Sequence, residues 1–339
     1  PIMLKISIYQ QYYKNSYSQN VSGYFLLYKL IYIVLFNFFI CSKIRDILPI
    51  NEIIGYKIIN RWRKRMSKKE AVLKVYNDIK NETKKEAMSI ALKKQKTELT
   101  DSKVGGIPYL PVGVDVPVDD EGRQLTLLAQ INCEELEGMD DYPQKGILQF
   151  FILMDDCYGL DFDNANEQNT FRVVYYDNID ENVKEEDILK IYNPYIEEED
   201  YLPFEGEFKM VFTPYEEGIT LEDFNFDKVF VKRYNELFQD NQIEAFWDLD
   251  DDSEDELYEE VSGDGSKIGG YPYFTQSDPR AYENLDSYNT LLLQIDSMDD
   301  EKGNVQTIWG DAGVCNFFIN KDKLKNLDFS DILYNWDCC

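Results

Sequence analysis

Hydrophobic and polar positions divide the chain into a periodic polar segment and a longer body of short apolar runs. Over residues 66–100, apolar side chains recur at spacings of three and four, and Lys, Glu and Asn fill most positions between them. This periodicity predicts an amphipathic helical segment of one or two helices, interrupted at residues 81–83. We expect its apolar stripe to pack against the body and its polar face to contact water.

Three apolar runs of the body recur in the same order later in the chain. Residues 103–110 match 267–274 and residues 126–132 match 290–296, both 164 positions on, and residues 146–153 match 313–320, 167 positions on. Such self-similarity indicates an internal duplication. The body, 101–339, is therefore predicted to hold repeat 1 at about 101–240 and repeat 2 at about 265–339, joined by an acidic connector at 242–265.

Each repeat begins with a Gly-Gly turn and continues into two continuous apolar runs, which is typical of strands covered on both faces. Gln130 and Gln294 are the polar members of such strands, and we expect them to bond the backbone of a loop or of the other copy. Further strands are predicted at 171–176 and 207–212, and residues 220–237 are predicted to be partly helical. The predicted fold class is α+β: an N-terminal helical segment followed by two β-rich repeats related by approximate two-fold symmetry.

Residues 1–65 differ from the rest of the chain. Gly23–Cys41 is apolar apart from Lys29, and nineteen residues are about enough to span a bilayer. Residues 1–65 are also rich in Ile, Tyr, Asn, Phe, Leu and Lys, whose codons are AT-rich. That composition favours a non-native upstream extension, with the protein starting at Met66, over the alternative of a membrane anchor.

Charge and composition exclude several classes of function. The chain has 339 residues, with 35 Lys and Arg against 64 Asp and Glu, a net charge of −29. A sequence pI near 4.3 disfavours nucleic-acid binding, which needs a basic surface. The sequence has no histidine, so His-dependent nucleophiles and His–metal sites within the chain are excluded.

Several motifs of the body resemble the YwqG-like family, a bacterial domain family of unknown function. They are Gly-Gly-x-Pro-Tyr, Leu-Leu-Leu-Gln-Ile-Asp, Trp-Gly-Asp-Ala-Gly-Val at 309–314, Asn-Phe-Phe-Ile at 316–319, Asp-Phe-Ser at 328–330 and Tyr-x-Trp-Asp-Cys at 334–338. The resemblance covers roughly residues 66–339. It implies a cytoplasmic protein with a duplicated α+β fold, and it supplies no catalytic residues. The residues that fall on the family's motifs are Arg280, Gln294, Asp296, Trp309, Gly310, Asp311 and Phe317.

Four of these residues are candidates for ligand binding. Arg280 follows an Asp-Pro turn and offers a guanidinium fork to a carboxylate or phosphate. Trp309 and Asp311 share a turn that would place an indole and a carboxylate beside the Arg280 guanidinium. Gln294 would add a buried amide. The favoured alternative is structural, with Arg280 paired to Asp311 or another acid.

No metal or cofactor is predicted. Asp248, Asp250, Asp252 and Glu259 have the spacing of a calcium loop, but Ser253 replaces the required glycine. The six cysteines form no Cys-x-x-Cys motif and are expected to be reduced. They are Cys41, Cys133, Cys157, Cys315, Cys338 and Cys339.

Two functions follow as hypotheses. The first is a cytoplasmic, non-enzymatic acidic interaction module that binds a basic protein partner, for example as an immunity protein that neutralises a toxin. The alternative is a small-ligand-binding protein or enzyme with a site between the repeats, near Arg280, Trp309 and Asp311. No nucleic-acid or membrane partner is predicted. The missing phosphate-loop and nucleophile-elbow motifs favour a protein without catalysis.

Overall fold

The computed structural model describes residues 68–197, 202–249, 261–282 and 285–338, all of them within one compact unit, Ser67–Cys339. The helices are α1 (Lys68–Glu82), α2 (Glu185–Ile188), α3 (Phe226–Leu237) and α4 (Lys321–Lys325). The strands are β1 (Lys85–Lys94), β2 (Lys103–Gly105), β3 (Thr126–Asn132), β4 (Ile147–Ile152), β5 (Phe171–Tyr176), β6 (Glu207–Glu217), β7 (Lys267–Gly269), β8 (Thr290–Asp296), β9 (Met298–Asp299), β10 (Val305–Thr307), β11 (Val314–Ile319) and β12 (Ile332–Asp337).

Ten of these strands form one antiparallel sheet in the order β12-β11-β8-β7-β1-β6-β2-β3-β4-β5. Its centre is the long pair β1–β6, whose register runs from Lys85 opposite Glu217 to Lys94 opposite Phe208. The fold therefore mixes a few helices with a large antiparallel sheet, as the predicted α+β class requires.

The prediction of a helical segment over 66–100 is wrong in its second half. The helix ends at Glu82, where the Thr83 hydroxyl donates to the Ile79 carbonyl at 2.7 Å. Residues 85–94 instead form β1, because Met88, Ile90 and Leu92 alternate with exposed positions and face the core. Ten residues of ladder with β6 stabilise this strand, although Lys, Glu and Ala within it favour helices.

The two edges of the sheet approach each other, so that the sheet nearly closes around its core. Phe171 of β5 and Tyr334 of β12 pack with ring centroids 5.2 Å apart. The loop before β5 bridges the gap, because Ala165 and Tyr158 accept hydrogen bonds from the Tyr334 N–H and O–H, both at 2.9 Å. Trp336 Nε1 donates to the Cys157 carbonyl at 2.7 Å.

A second apolar cluster lies between the two longer helices. Val75 and Ile79 of α1 pack with Phe226 and Phe230 of α3, and all four side chains are buried. The apolar stripe of α1 therefore packs on the body, as its periodicity predicts.

Most of the other strand predictions are confirmed. β3, β5 and β8 have the predicted bounds, and β6 extends past the predicted residue 212 to Glu217. The run predicted to be partly helical, 220–237, contains α3. Gly23–Cys41 and residues 250–260 of the acidic connector lie outside the described residues. Within the described ranges, no helix is long and apolar enough to cross a membrane.

Candidate functional site

The first Gly-Gly turn is fixed by the buried amide of Gln130. Its Oε1 accepts from the Tyr109 N–H at 2.8 Å, and its Nε2 donates to the carbonyls of Leu99 and Asp101, both at 2.9 Å. Gln149 donates to the same Oε1 at 2.7 Å. One strand side chain therefore positions the whole loop from 99 to 109.

Gln294 does the same for the second Gly-Gly turn. Its Oε1 accepts from the Tyr273 N–H at 2.8 Å, and its Nε2 donates to Gly263 at 2.9 Å and Gly265 at 2.7 Å. Both amide hydrogens of this predicted ligand residue are thus donated to backbone of its own loop. Gln130 and Gln294 behave as expected of polar residues buried in a strand.

Each Gly-Gly turn follows a buried lysine, and the two lysines have different partners. Lys103 and Lys267 are each 1% exposed. Lys267 Nζ forms an ion pair with Glu217 Oε1 at 2.8 Å. Lys103 Nζ donates to the carbonyls of Glu98 at 3.1 Å and Leu99 at 3.4 Å, and it forms no ion pair within the described part of the chain.

Lys103 lines a cavity of about 250 Å³ beside the first turn. The wall consists of Lys96, Thr97, Leu99, Lys103, Gly106, Ile107, Glu185, Gly206 and Glu207. Burial lowers the pKa of Lys103 to about 8, against the raising effect of the negative charges on Glu207 and Asp101. The Glu207 carboxylate accepts a hydrogen bond from the Thr97 hydroxyl at 2.6 Å.

The glycines of the first turn allow its backbone to reach the cavity wall. Gly105 and Gly106 have φ of +69° and +75°, which side-chain-bearing residues rarely adopt. A Cβ on Gly105 would lie 2.3 Å from the Gly206 carbonyl, and one on Gly106 would lie 2.9 Å from Glu207 Oε2. The Gly-Gly pair is therefore required for the wall to close.

Arg280, a predicted ligand residue, is buried in an ion-pair network. Its Nη2 lies 2.6 Å from Asp278 Oδ2 and 3.0 Å from Asp223 Oδ2. Its guanidinium also stacks over the rings of Phe318 at 4.2 Å and Phe224 at 4.9 Å. Arg280 is therefore paired with acids inside the protein, as the structural alternative expects. The acids are Asp223 and Asp278 in place of Asp311.

The remaining two predicted ligand residues lie in different environments. Trp309 is fully buried and packs against Tyr158 and Trp336, with ring centroids 5.5 Å and 6.3 Å away. Asp311 is exposed. Neither residue lines the cavity beside Lys103.

Among the described residues, no cluster of three or more potential metal ligands occurs. Asp248 accepts from the N–H groups of Glu244 and Ala245, while Asp250, Asp252 and Glu259 lie outside the described ranges. The thiols of Cys133, Cys157, Cys315 and Cys338 are all free. Burial raises the pKa of Cys157 to about 11, with a further contribution from Asp156, so this thiol is a poor nucleophile.

The sequence carries one signal for Lys103. Lys103 and Lys267 occupy the same position of the similar runs 103–110 and 267–274, directly before an apolar residue and the Gly-Gly pair. A lysine repeated inside a strand motif indicates a buried amine with a defined role, because lysine is otherwise among the residues least often buried.

A family model described as "Domain of unknown function (DUF1963)" matches residues 102–338, a range that includes both Gly-Gly turns and Lys103 but not the cavity residues Lys96, Thr97 and Leu99. A search of curated proteins finds no match to this chain.

Proposed function

Because the chain belongs to the DUF1963 family, whose description assigns no activity, we propose a function from its geometry: it is a binding protein for a small anionic ligand. The site is the cavity beside Lys103. The observation that carries this proposal is a buried lysine that lines a cavity and has no carboxylate partner in the described structure.

The charge of Lys103 favours an anionic group in the cavity. An ammonium has three N–H donors, and two of them are used by the carbonyls of Glu98 and Leu99. A carboxylate or phosphate oxygen would accept the third and neutralise a charge that burial makes costly. At about 250 Å³, the cavity is smaller than typical drug-sized pockets, which favours a ligand of few atoms.

The test is a thermal-shift titration of the protein with acetate, oxalate and inorganic phosphate at pH 7. We expect at least one of these anions to raise the melting temperature of the wild type and not that of Lys103→Met. Lys85→Met is the matched control, because Lys85 is also a lysine with a burial-lowered pKa and without an ion pair in the described residues. A shift of equal size in Lys103→Met would contradict the proposal.

We also propose that the two Gly-Gly turns and the strands that follow them arose by duplication and are related by approximate two-fold symmetry. The hydrogen bonds of Gln130 to Leu99, Asp101 and Tyr109 recur for Gln294 at positions that are each 164 residues later. In the sheet order, four strands flank each side of the central pair β1–β6. An experimental structure in which the two units superpose poorly would argue against duplication.

A second candidate function is the acidic interaction module. Residues 101–339 hold sixteen basic and fifty-seven acidic residues, which favours a basic protein partner and electrostatic steering. We place this protein in the cytoplasm, since its four described cysteines are free thiols. Capture from cytosol at low salt should yield a basic protein that moderate salt elutes. Capture that does not weaken with salt would count against this function.

A further inference from the structure

We propose that the amine of Lys103 forms a reversible imine with a small oxo acid, a carboxylate-bearing aldehyde or ketone, bound in the cavity. This inference rests on the proposed function, because it assigns a substrate class and a covalent step to the same site.

The hydrogen bonds of Lys103 match those of a neutral amine. A neutral amine has two N–H donors and one lone pair, and Nζ donates to two carbonyls, those of Glu98 and Leu99. With both donors engaged, the lone pair is directed away from the two carbonyls. The position that an ammonium would offer to an anion is therefore the position from which the amine attacks a carbonyl carbon.

Burial favours the neutral form of Lys103, while the negative charges of Glu207, Asp101, Glu185 and Glu98 act against it. Nζ is buried, and no carboxylate lies within ion-pair distance of it among the described residues. Burial lowers the pKa of this amine to about 8, so roughly a tenth of it is unprotonated at pH 7 and about half at pH 8. Desolvated lysines of this kind are suited to Schiff-base chemistry.

The step is balanced without a redox partner. The Lys103 nitrogen forms a bond to the carbonyl carbon, the carbonyl oxygen takes both protons of the neutral amine and leaves as water, and a carbon–nitrogen double bond remains. Water reverses the reaction and releases the oxo acid.

A second lysine of the cavity wall, Lys96, would bind the carboxylate of the ligand. Lys96 lines the cavity, and its Nζ forms a long ion pair with Glu185 Oε1 at 3.6 Å in which the lysine side chain is mostly exposed. Such a pair contributes little to stability and exchanges readily for another anion. Lys96 therefore remains as a cation for the carboxylate after Lys103 has reacted.

The experiment traps the imine by reduction. The intact protein is incubated at pH 8 with glyoxylate and sodium cyanoborohydride, and the N-carboxymethyl-lysine at each position is measured over time by peptide mass spectrometry. We expect Lys103 to be labelled on the order of tenfold or more faster than the exposed Lys145, because far more of its amine is unprotonated at this pH.

Lys267 is the matched internal control, because it is equally buried but paired with Glu217. It should be labelled more slowly than Lys103 in the folded protein, and all three lysines should react at similar rates in urea. Labelling of Lys103 no faster than that of Lys145 in the folded protein would overturn the inference.

Oxalate separates this inference from the proposed function, since it carries carboxylates but cannot form an imine. If oxalate raises the melting temperature of the wild type but not that of Lys103→Met, and glyoxylate fails to label Lys103, the anion site is supported and the imine is contradicted. If neither oxalate, acetate nor phosphate stabilises the protein and Lys103 is not labelled, both fall. Faster labelling of Lys103 that oxalate slows supports both.

Discussion

The two Gly-Gly turns share their backbone hydrogen bonds and differ in the environment of the lysine that precedes them. At the second turn, Glu217 accepts from Lys267 Nζ at 2.8 Å and from the Tyr271 N–H at 2.7 Å. At the first turn, Lys103 has two carbonyl acceptors, and the Glu207 carboxylate bonds the Thr97 hydroxyl. The same motif therefore holds a paired lysine at one turn and an unpaired lysine beside a cavity at the other.

In the proposed function, the paired lysine contributes to stability and the unpaired lysine to binding. A carboxylate within bonding distance makes the buried lysine part of the framework, because charge and hydrogen bonds are satisfied within the protein. In the proposed site, the lysine without that carboxylate keeps a charge or a lone pair for an external molecule. Four sets of measurements test this difference between the two turns.

Removing each lysine in turn gives the largest contrast. Lys267→Met leaves Glu217 without its cation, and we expect a loss of roughly 3–5 kcal/mol in the free energy of unfolding. Lys103→Met removes an unpaired buried charge, so its stability at pH 7 should stay within about 1 kcal/mol of wild type or exceed it. Urea denaturation measures both values, and equal losses would show that the two lysines have the same role.

The pH dependence of stability sharpens the contrast. The pKa of Lys103 is lowered from 10.5 to about 8 in the folded protein, so between these values the unfolded chain binds more protons. Lys103 therefore costs stability below pH 8, and that cost disappears as the pH rises from about 8 to 10.5. Relative to Lys103→Met, the wild type should gain on the order of 3 kcal/mol across this window. A constant difference between the two proteins would contradict the lowered pKa.

Glu222 adds a second carboxyl group at the second turn, where it faces Gly263. Burial raises its pKa from 4.5 to about 7, although hydrogen bonds and Lys267 act in the opposite direction. The folded protein therefore binds more protons between these values, and stability should fall by on the order of 3 kcal/mol as the pH rises from 4.5 to 7. Glu222→Gln should remove this dependence. Parallel pH profiles of stability for wild type and Glu222→Gln would show that Glu222 titrates normally.

The smallest effect is expected at the wall of the first cavity. Thr97→Val keeps the shape of the side chain and removes the 2.6 Å hydrogen bond to Glu207. We expect a loss of about 1–2 kcal/mol in stability, because the carboxylate loses a donor. Thr213→Val is the control, since Thr213 is exposed on β6 and its hydroxyl has no hydrogen bond in the described structure. A loss no larger than that of the control would show that water replaces the hydroxyl.

Continuous apolar runs made most of the sheet predictable. The runs that became β3 and β8 contain a single internal glutamine each, and burial on both faces leaves them no alternative to a central strand. β1 was misread because Ala87, Ile90 and Ala91 fit a helical spacing as well as a strand. What decides its conformation is the ladder with β6, whose residues lie more than a hundred positions later in the chain.

The candidate site was less predictable than the fold. Arg280 has the chemistry of a ligand residue, but only the folded chain brings Asp223 to it from 57 positions away. Lys103 is the opposite case, because it has no carboxylate partner in the described structure. The sequence shows the lysine but does not show that this partner is missing. Whether a charge is paired depends on contacts distant in sequence, which residue spacing alone does not reveal.

The seam between the two sheet edges has a consequence for folding kinetics. The bonds that close it join residues 176 and 179 positions apart, Tyr334 with Tyr158 and Trp336 with Cys157. Contacts of such high order form slowly, because a long loop must be closed before they contribute. Until then, strands β5 and β12 present open edges that can pair with other chains. We therefore expect refolding to be slow and its yield to fall as the protein concentration rises.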